Sequence, residues 1–360
     1  MAYSVALAKE VKTRGFVYGG LLLALGAAIV YASSSGAVLI PAGDILPILL
    51  DGLGLRDMAS VDPVHQAVLL NIRLPRIVLT LLVGAGLGVS GVALQGLFRN
   101  PMADPALIGI SAGAALFAAA VIVFEGVLIG TVFQGVLGLY MLPVAAFVGS
   151  FLIAMLVLRL SSVSGKTDVA TMLLAGIAIN AIAQAGTGLM TYLSDDSQLR
   201  TLTFWLMGSL SGAQWEQLMV VGPLMLVAII GLPFQARALN AILLGESVAS
   251  HLGFDLQRTK LLLIVMVSVC VGSAVAVTGI IGFIGLVVPH MVRLVMGPNH
   301  RNLFPLAAIL GALVLLLADV ASRTVVAPAE LPIGIVTALF GGPFFLWLLL
   351  KRKAATGVGL

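Results

Sequence analysis

Apolar residues in this chain come in long unbroken runs, and between them the polar residues gather in short clusters. Ten runs can be read, at roughly Phe16–Tyr31, Ile77–Leu97, Ala106–Phe124, Leu137–Leu160, Val169–Tyr192, Gln217–Phe234, Lys260–Thr278, Gly282–Met296, Phe304–Ala321 and Ile333–Leu350. Most are about 17–25 residues of Leu, Ala, Val, Ile and Gly, near the length a helix needs to cross a bilayer. They lack the period-2 alternation of a membrane β-strand. In lipid a spanning segment must satisfy its own backbone hydrogen bonds, so the pattern predicts helices. The expectation is an all-α polytopic membrane protein of about ten transmembrane helices. One membrane domain covers 16–350, between a short segment 1–15 and a tail 351–360. The eighth run is short and carries Pro289, so a broken or tilted helix is expected there.

Composition agrees, with 60% hydrophobic and only 9% charged residues. A water-soluble domain of 360 residues could not cover its surface with so few charges. The placement of those charges sets the orientation. With the N-terminus inside, Lys9, Lys12, Arg14, Arg99, Arg159, Lys166, Arg237, Arg258, Lys260, Arg293, Arg301, Lys351, Arg352 and Lys353 fall at inner ends, out of 19 Lys and Arg in all. Arg56, Arg73, Arg76, Arg200 and Arg323 fall outside, with most of the acids. This positive-inside bias predicts cytoplasmic N- and C-termini and an even number of spans. The first run is read as a span and not as a cleaved signal peptide, because removing it would break the even count. Cys270 is the single cysteine, which rules out an intrachain disulfide. The net charge of +4 sits in the inner loops, with no basic-aromatic cluster for nucleic acid.

Glycine lies inside the spans, as Gly84, Gly86, Gly88 and Gly91 in the second and Gly109 and Gly113 at the third. Small residues so spaced let helix backbones approach closely. Ion-coupled transporters carry acids or cations in mid-membrane. Here Asp319 is the clear intramembrane acid, near the outer end of the ninth run and expected to pair with Arg323. Energy for transport is therefore expected from a partner. Gly165-Lys166-Thr167 resembles the end of a phosphate-binding loop, but Leu160 stands where that motif needs its first glycine, and no strand precedes it. The chain is not expected to be an enzyme by itself.

The loop between the sixth and seventh runs, about 237–259, is apolar, interrupted by Gly245 and closed by Gly253. It predicts two short helices with a glycine hinge, Gly253 ending the second. A loop this apolar is expected to dock on something, with Glu246 placed for contact with a partner.

These residues resemble the FecCD-type permeases, the membrane subunits of type II ABC importers for iron-siderophores, haem and cobalamin. The resemblance runs from Arg73 to about Leu350. It rests on Arg73-Leu74-Pro75-Arg76, Gly91 through Pro105, the Leu239–Gly253 loop, Gly282 through Arg293, and Leu331 through Thr337. It implies a homodimer with the pathway at its interface. Two ATP-binding-cassette ATPase subunits, holding ATP and Mg, would lie beneath, and a periplasmic substrate-binding protein above, in a bacterial inner membrane. Leu244, Gly245, Glu246, Ser247, His251, Leu252 and Gly253 would be the coupling element in the ATPase cleft. Arg73, Arg76 and Arg323, at the outer ends of two spans, would be long, flexible cations facing acids on the binding protein. No cofactor or metal is expected on the chain itself. His65, His251, His290 and His300 share no helix face with a second ligand.

The function expected is passage of haem or another iron chelate into the cytoplasm. Likeness of the Phe98–Ile110 turn and Ser111-Ala112-Gly113 to haem-type members favours haem over ferric siderophore or cobalamin. An ion-coupled secondary transporter would need paired intramembrane charges and half-to-half repeats, which are not found. A scaffold or receptor without transport fits poorly with glycine-rich spans and an apolar inner loop. Tags at Lys9, near Lys166, near Ser250 and at Leu360 should report the cytoplasm, and tags near Asp57 and Asp196 the outside. One tag on the opposite side would break the ten-span topology.

Overall fold

The computed structural model describes residues 2–52, 54–55, 62–131, 136–163 and 166–355. Arg56, Asp57, Gly165 and the tail from 356 lie outside the described residues. Its helices are α1 (Ala2–Ser34), α2 (Ala42–Gly52), α3 (Pro63–Val68), α4 (Leu74–Leu97), α5 (Ile110–Thr131), α6 (Val136–Leu160), α7 (Val169–Leu193) and α8 (Asp196–Met207). They continue as α9 (Trp215–Gly231), α10 (Ala236–Leu243), α11 (Glu246–His251), α12 (Leu256–Thr278), α13 (Ile284–Met296), α14 (His300–Thr324) and α15 (Ile333–Ala355). Each of the ten predicted spans coincides with an apolar helix. Among the described residues, seven are long and apolar enough to cross a membrane, and three apolar helices are shorter. The helices α2 and α8 were not predicted. Both have a polar face, and α8 opens with a capping box in which Asp195 and Gln198 serve each other's backbone.

The second predicted span is longer than expected. Helices α3 and α4 form one rod, Pro63–Leu97, through a π-helical turn at Leu69–Arg73. Pro75 has no N–H to give the preceding turn. The wider turn lets Leu74 N–H reach Leu69, and the Leu70 carbonyl takes the Trp215 indole N–H at 2.9 Å instead. This rod is the axis of the fold, and α14, α13, α12 and α9 all pack on it.

Close approach along the rod comes from the glycines. A Cβ on Gly84 would meet the backbone of Gly311, and one on Gly88 the carbonyl of Ala307, both on α14. One on Gly91 would overlap the carbonyl oxygen of Gly285 at the start of α13. With no hydrophobic effect between helices in lipid, these backbone-to-backbone contacts supply the packing.

Two predicted spans start elsewhere than read. Residues 99–109 turn back from the inner end of α4 and re-enter the helix bundle, so the third span begins at Ile110 and not at Ala106. Gly109, with φ 84°, sets this boundary. The Asn180 amide donates to the Ala106 carbonyl at 3.0 Å, and Gly176 abuts Leu107. That contact lies about 10–16 Å along α7 from its inner end. The eighth span is interrupted upstream of Pro289. Residues 279–283 cross the gap as irregular, non-helical chain, with Gly279 at φ 66° and Phe283 at φ 69°. Pro289 lies inside the 13-residue α13, packed toward Gly91.

Candidate functional site

At the outer end of the rod, five ionisable side chains gather. Arg76 comes from α4, Asp319 and Arg323 from α14, Arg73 from the π-helical turn, and Glu330 from the turn before α15. Arg76 donates from Nε to Asp319 Oδ1 at 2.9 Å, and its two terminal nitrogens engage both Glu330 oxygens at 2.8 and 3.0 Å. Arg323 Nε stands 3.5 Å from Asp319 Oδ2. Its terminal nitrogens donate to the Ser35 and Ala32 carbonyls at 2.6 Å each. Arg73 donates to the Ser33 carbonyl at 2.5 Å and to the Val38 carbonyl. Two arginines thus take up main-chain acceptors at and just beyond the end of α1, where a helix leaves its last carbonyls without partners.

This corrects the expectation of long, flexible cations. Arg73 is 5% exposed and Arg76 is 8% exposed. The nearest partner of Asp319 is Arg76 and not Arg323. The cluster still sets three guanidiniums against two carboxylates. It borders a cavity of about 230 Å³ that also touches Gly36, Val38, Ile72 and Pro328.

At the inner end, the loop has the predicted form. Helix α10 stops at Leu243, Gly245 takes φ 113°, α11 follows, and Gly253 closes it at φ 87°. Its apolar residues divide between two surfaces. Leu239, Ile242 and Ala249 are buried within the chain, while Leu243, Leu244, Val248 and Leu252 are 42–68% exposed. Ser247, His251 and Gly253 are exposed beside them. Glu246 is not a free carboxylate awaiting a partner, because its Oε2 lies 2.8 Å from Lys260 Nζ on α12. Lys260 is 1% exposed and also donates to the Thr167 carbonyl at 2.8 Å. Ser162–Val163 pairs antiparallel with Lys166–Thr167, so Lys166 and Thr167 lie in a short strand pair. Beside it, the amide and hydroxyl of Thr171 hold the Asp168 carboxyl below the usual range.

Sequence reading missed the anchoring roles of Lys260 and Glu330. A cation at the first turn of a predicted span reads as one reaching for the interface. The acid 14 residues earlier, on the preceding loop, was the available signal.

Between the two ends, α7 is mostly uncovered. Ala181, Gln184, Ala185 and Gly188 are exposed along one side of it, within a span. Among the described residues there is no cluster of His, Cys, Asp or Glu that could hold a metal ion.

Residues 22–351 match the FecCD transport family. The chain is 50% identical over 285 residues to the hemin transport system permease protein of Yersinia pestis, covering 79% of this chain and 83% of that protein. It is 43% identical over 294 residues to the cobalamin import system permease protein of Halobacterium salinarum, covering 82% and 76% respectively. A solved chain described as an inward-facing, metal-chelate type ABC transporter superposes with a TM-score of 0.80 at 33% identity, covering 94% of this chain and 99% of that one.

Proposed function

This chain belongs to the FecCD transport family, and from that premise we propose that it is the membrane subunit of an ATP-driven importer whose substrate is haem. It works as a pair of identical copies in a bacterial inner membrane. A separate ATPase chain binds ATP and Mg below, and a periplasmic binding protein delivers substrate above. The observation that carries the haem assignment is the 50% identity to a hemin permease over most of both chains. The cobalamin relative, at 43%, supports a second reading in which a corrinoid is carried.

Three features of the structure support the assembly. Leu243, Leu244, Val248 and Leu252 make an apolar knob on the inner face, which water disfavours and a cleft on an ATPase would cover. Gln184, exposed among Ala181, Ala185 and Gly188, is costly against lipid acyl chains and favourable along a pathway shared with a second copy. The outer cavity, with its excess of guanidinium, would accept an acidic side chain from the binding protein. Because Arg73 and Arg76 are buried there, that acid must enter the cavity to reach them.

Proteoliposomes holding the complete complex, loaded with ATP inside and given haemin on the binding protein outside, should accumulate haemin. Uptake of cyanocobalamin with none of haemin would overturn the haem reading in favour of the second. In the same assay Leu244→Glu with Leu252→Glu should abolish uptake and release the ATPase during purification. Retention of both would show that the knob is not where the ATPase sits.

A further inference from the structure

The two helices of the inner loop are fastened to different parts of the membrane domain. In α10, Asn240 Oδ1 accepts the His300 backbone N–H at 2.9 Å and lies 2.8 Å from His300 Nδ1. The Asn240 amide donates to Asn299 Oδ1 at 2.9 Å, and the same oxygen caps α14 by accepting the Arg301 N–H at 3.1 Å. Asn240 therefore supplies an acceptor to one of the amides that begin α14 and lack a partner within the helix. His300 is 1% exposed. Its ring rests on Gly96 of α4, where a Cβ would stand 2.5 Å from Nε2. Helix α10 is thereby joined to the paired α4 and α14.

Helix α11 is joined elsewhere. Glu246 meets Lys260 of α12, and Lys260 also holds the Thr167 carbonyl. Gln257 of α12 accepts the Thr167 N–H at 2.9 Å. The second helix is thus tied to α12 and to the turn between α6 and α7. Gly245 stands between the two ties at φ 113°, a conformation that residues with a side chain rarely adopt.

Building on the importer reading above, we propose that Asn240 and Lys260 are positioning residues that divide the stroke of the coupling loop. Asn240 links α10 to the α4–α14 pair, and Lys260 links α11 to α12 and the α6–α7 turn. A displacement of the loop by an ATPase then changes the angle between two groups of helices about Gly245. Helices α4 and α14 continue to the outer cluster, where Arg76 and Asp319 join them again. Both ties are buried at one partner, and a bond held away from water resists being exchanged during the motion.

The test is the amount of haemin moved per ATP hydrolysed, in proteoliposomes holding the complete complex and supplied with the binding protein. Asn240→Ala and Lys260→Met should each lower this ratio on the order of tenfold, while Lys260→Arg, which keeps a cation for Glu246, should stay within about twofold of wild type. A merely structural role would lower yield or melting temperature and leave the ratio of the surviving protein at the wild-type value. That result overturns the proposal. If Asn240→Ala does not fold, Asn299→Ala removes the outer bond of the same tie. A lowered ratio supports the linkage and an unchanged one overturns it. A wild-type complex that hydrolyses ATP and moves no haemin or cyanocobalamin overturns the importer reading, and the linkage with it. A working wild type beside unaffected variants overturns the linkage alone.

Discussion

Arg76→Ala should leave little folded protein, because it strands a carboxylate inside the outer cluster. Asp319 is 1% exposed, and Arg76 is its nearest cation, at 2.9 Å. Removing one partner of a buried pair costs about 3–5 kcal/mol, a large share of the ~5–15 kcal/mol that holds a typical domain folded. Glu330 loses its partner too, but at 38% side-chain exposure it can turn to water. The remaining arginine helps Asp319 little, since Arg323 Nε is 3.5 Å away and its terminal nitrogens are engaged by Ala32 and Ser35. Replacing both members with apolar residues, Arg76→Met with Asp319→Leu, should recover part of the loss, because the stranded buried carboxylate is gone and Arg323 keeps the Ser35 and Ala32 carbonyls. Melting temperatures in detergent, read by the monodisperse fraction after heating, would compare the three proteins. A wild-type melting temperature for the single variant would mean that Asp319 is solvated or held by other groups.

Gly91→Ala should be nearly as damaging, although it adds one methyl group. The new carbon would overlap the Gly285 carbonyl, lie 2.7 Å from its carbon and 2.9 Å from the Pro289 ring. Two of those atoms are backbone, so no side chain can turn aside. Overpacking usually costs about 1–3 kcal/mol where neighbours can shift, and a backbone clash belongs at or above the top of that range. The control is Gly20→Ala on α1, where nothing lies within 4 Å of the added carbon. There alanine should be neutral or slightly stabilising, since glycine within a helix is about 0.8–1.0 kcal/mol less favourable than alanine. Equal melting temperatures for the two variants would refute the packing of α13 on α4.

The contrast between these two glycines shows what a sequence can and cannot display. Run length and charge bias reported every long helix, because both follow from the bilayer and need no knowledge of neighbours. The glycine-hinged loop was also legible, since left-handed backbone at Gly245 and Gly253 is a local demand. Partners were a different matter. Arg73 and Arg76 look like free outer cations when read along the chain, and only the fold brings Ser33, Val38, Asp319 and Glu330 to them. Glu246 looked equally free until α12 placed Lys260 beside it. The interruption at 279–283 was displaced to Pro289 for a similar reason. Proline is the visible helix breaker in a sequence, yet here Pro289 fits within α13 and the glycines before it end the preceding helix. The roles of the outer cavity and the inner knob rest on partners that lie beyond the chain, and they stand as proposals for that reason.

The shortness of α13 bears on how the protein is made. At 13 residues it extends about 20 Å, against a hydrocarbon core of about 30 Å, so on its own it is a poor candidate for release into lipid from the insertion machinery. Its leading end follows the non-helical residues 279–283, whose backbone polar groups lipid alone could not satisfy. The surface that receives it, around Gly91 on α4, is synthesised nearly 200 residues earlier and must be kept open until α13 emerges. Maturation of this chain is therefore not a sequential release of independent spans. Its final third is assembled against a groove already waiting in the first.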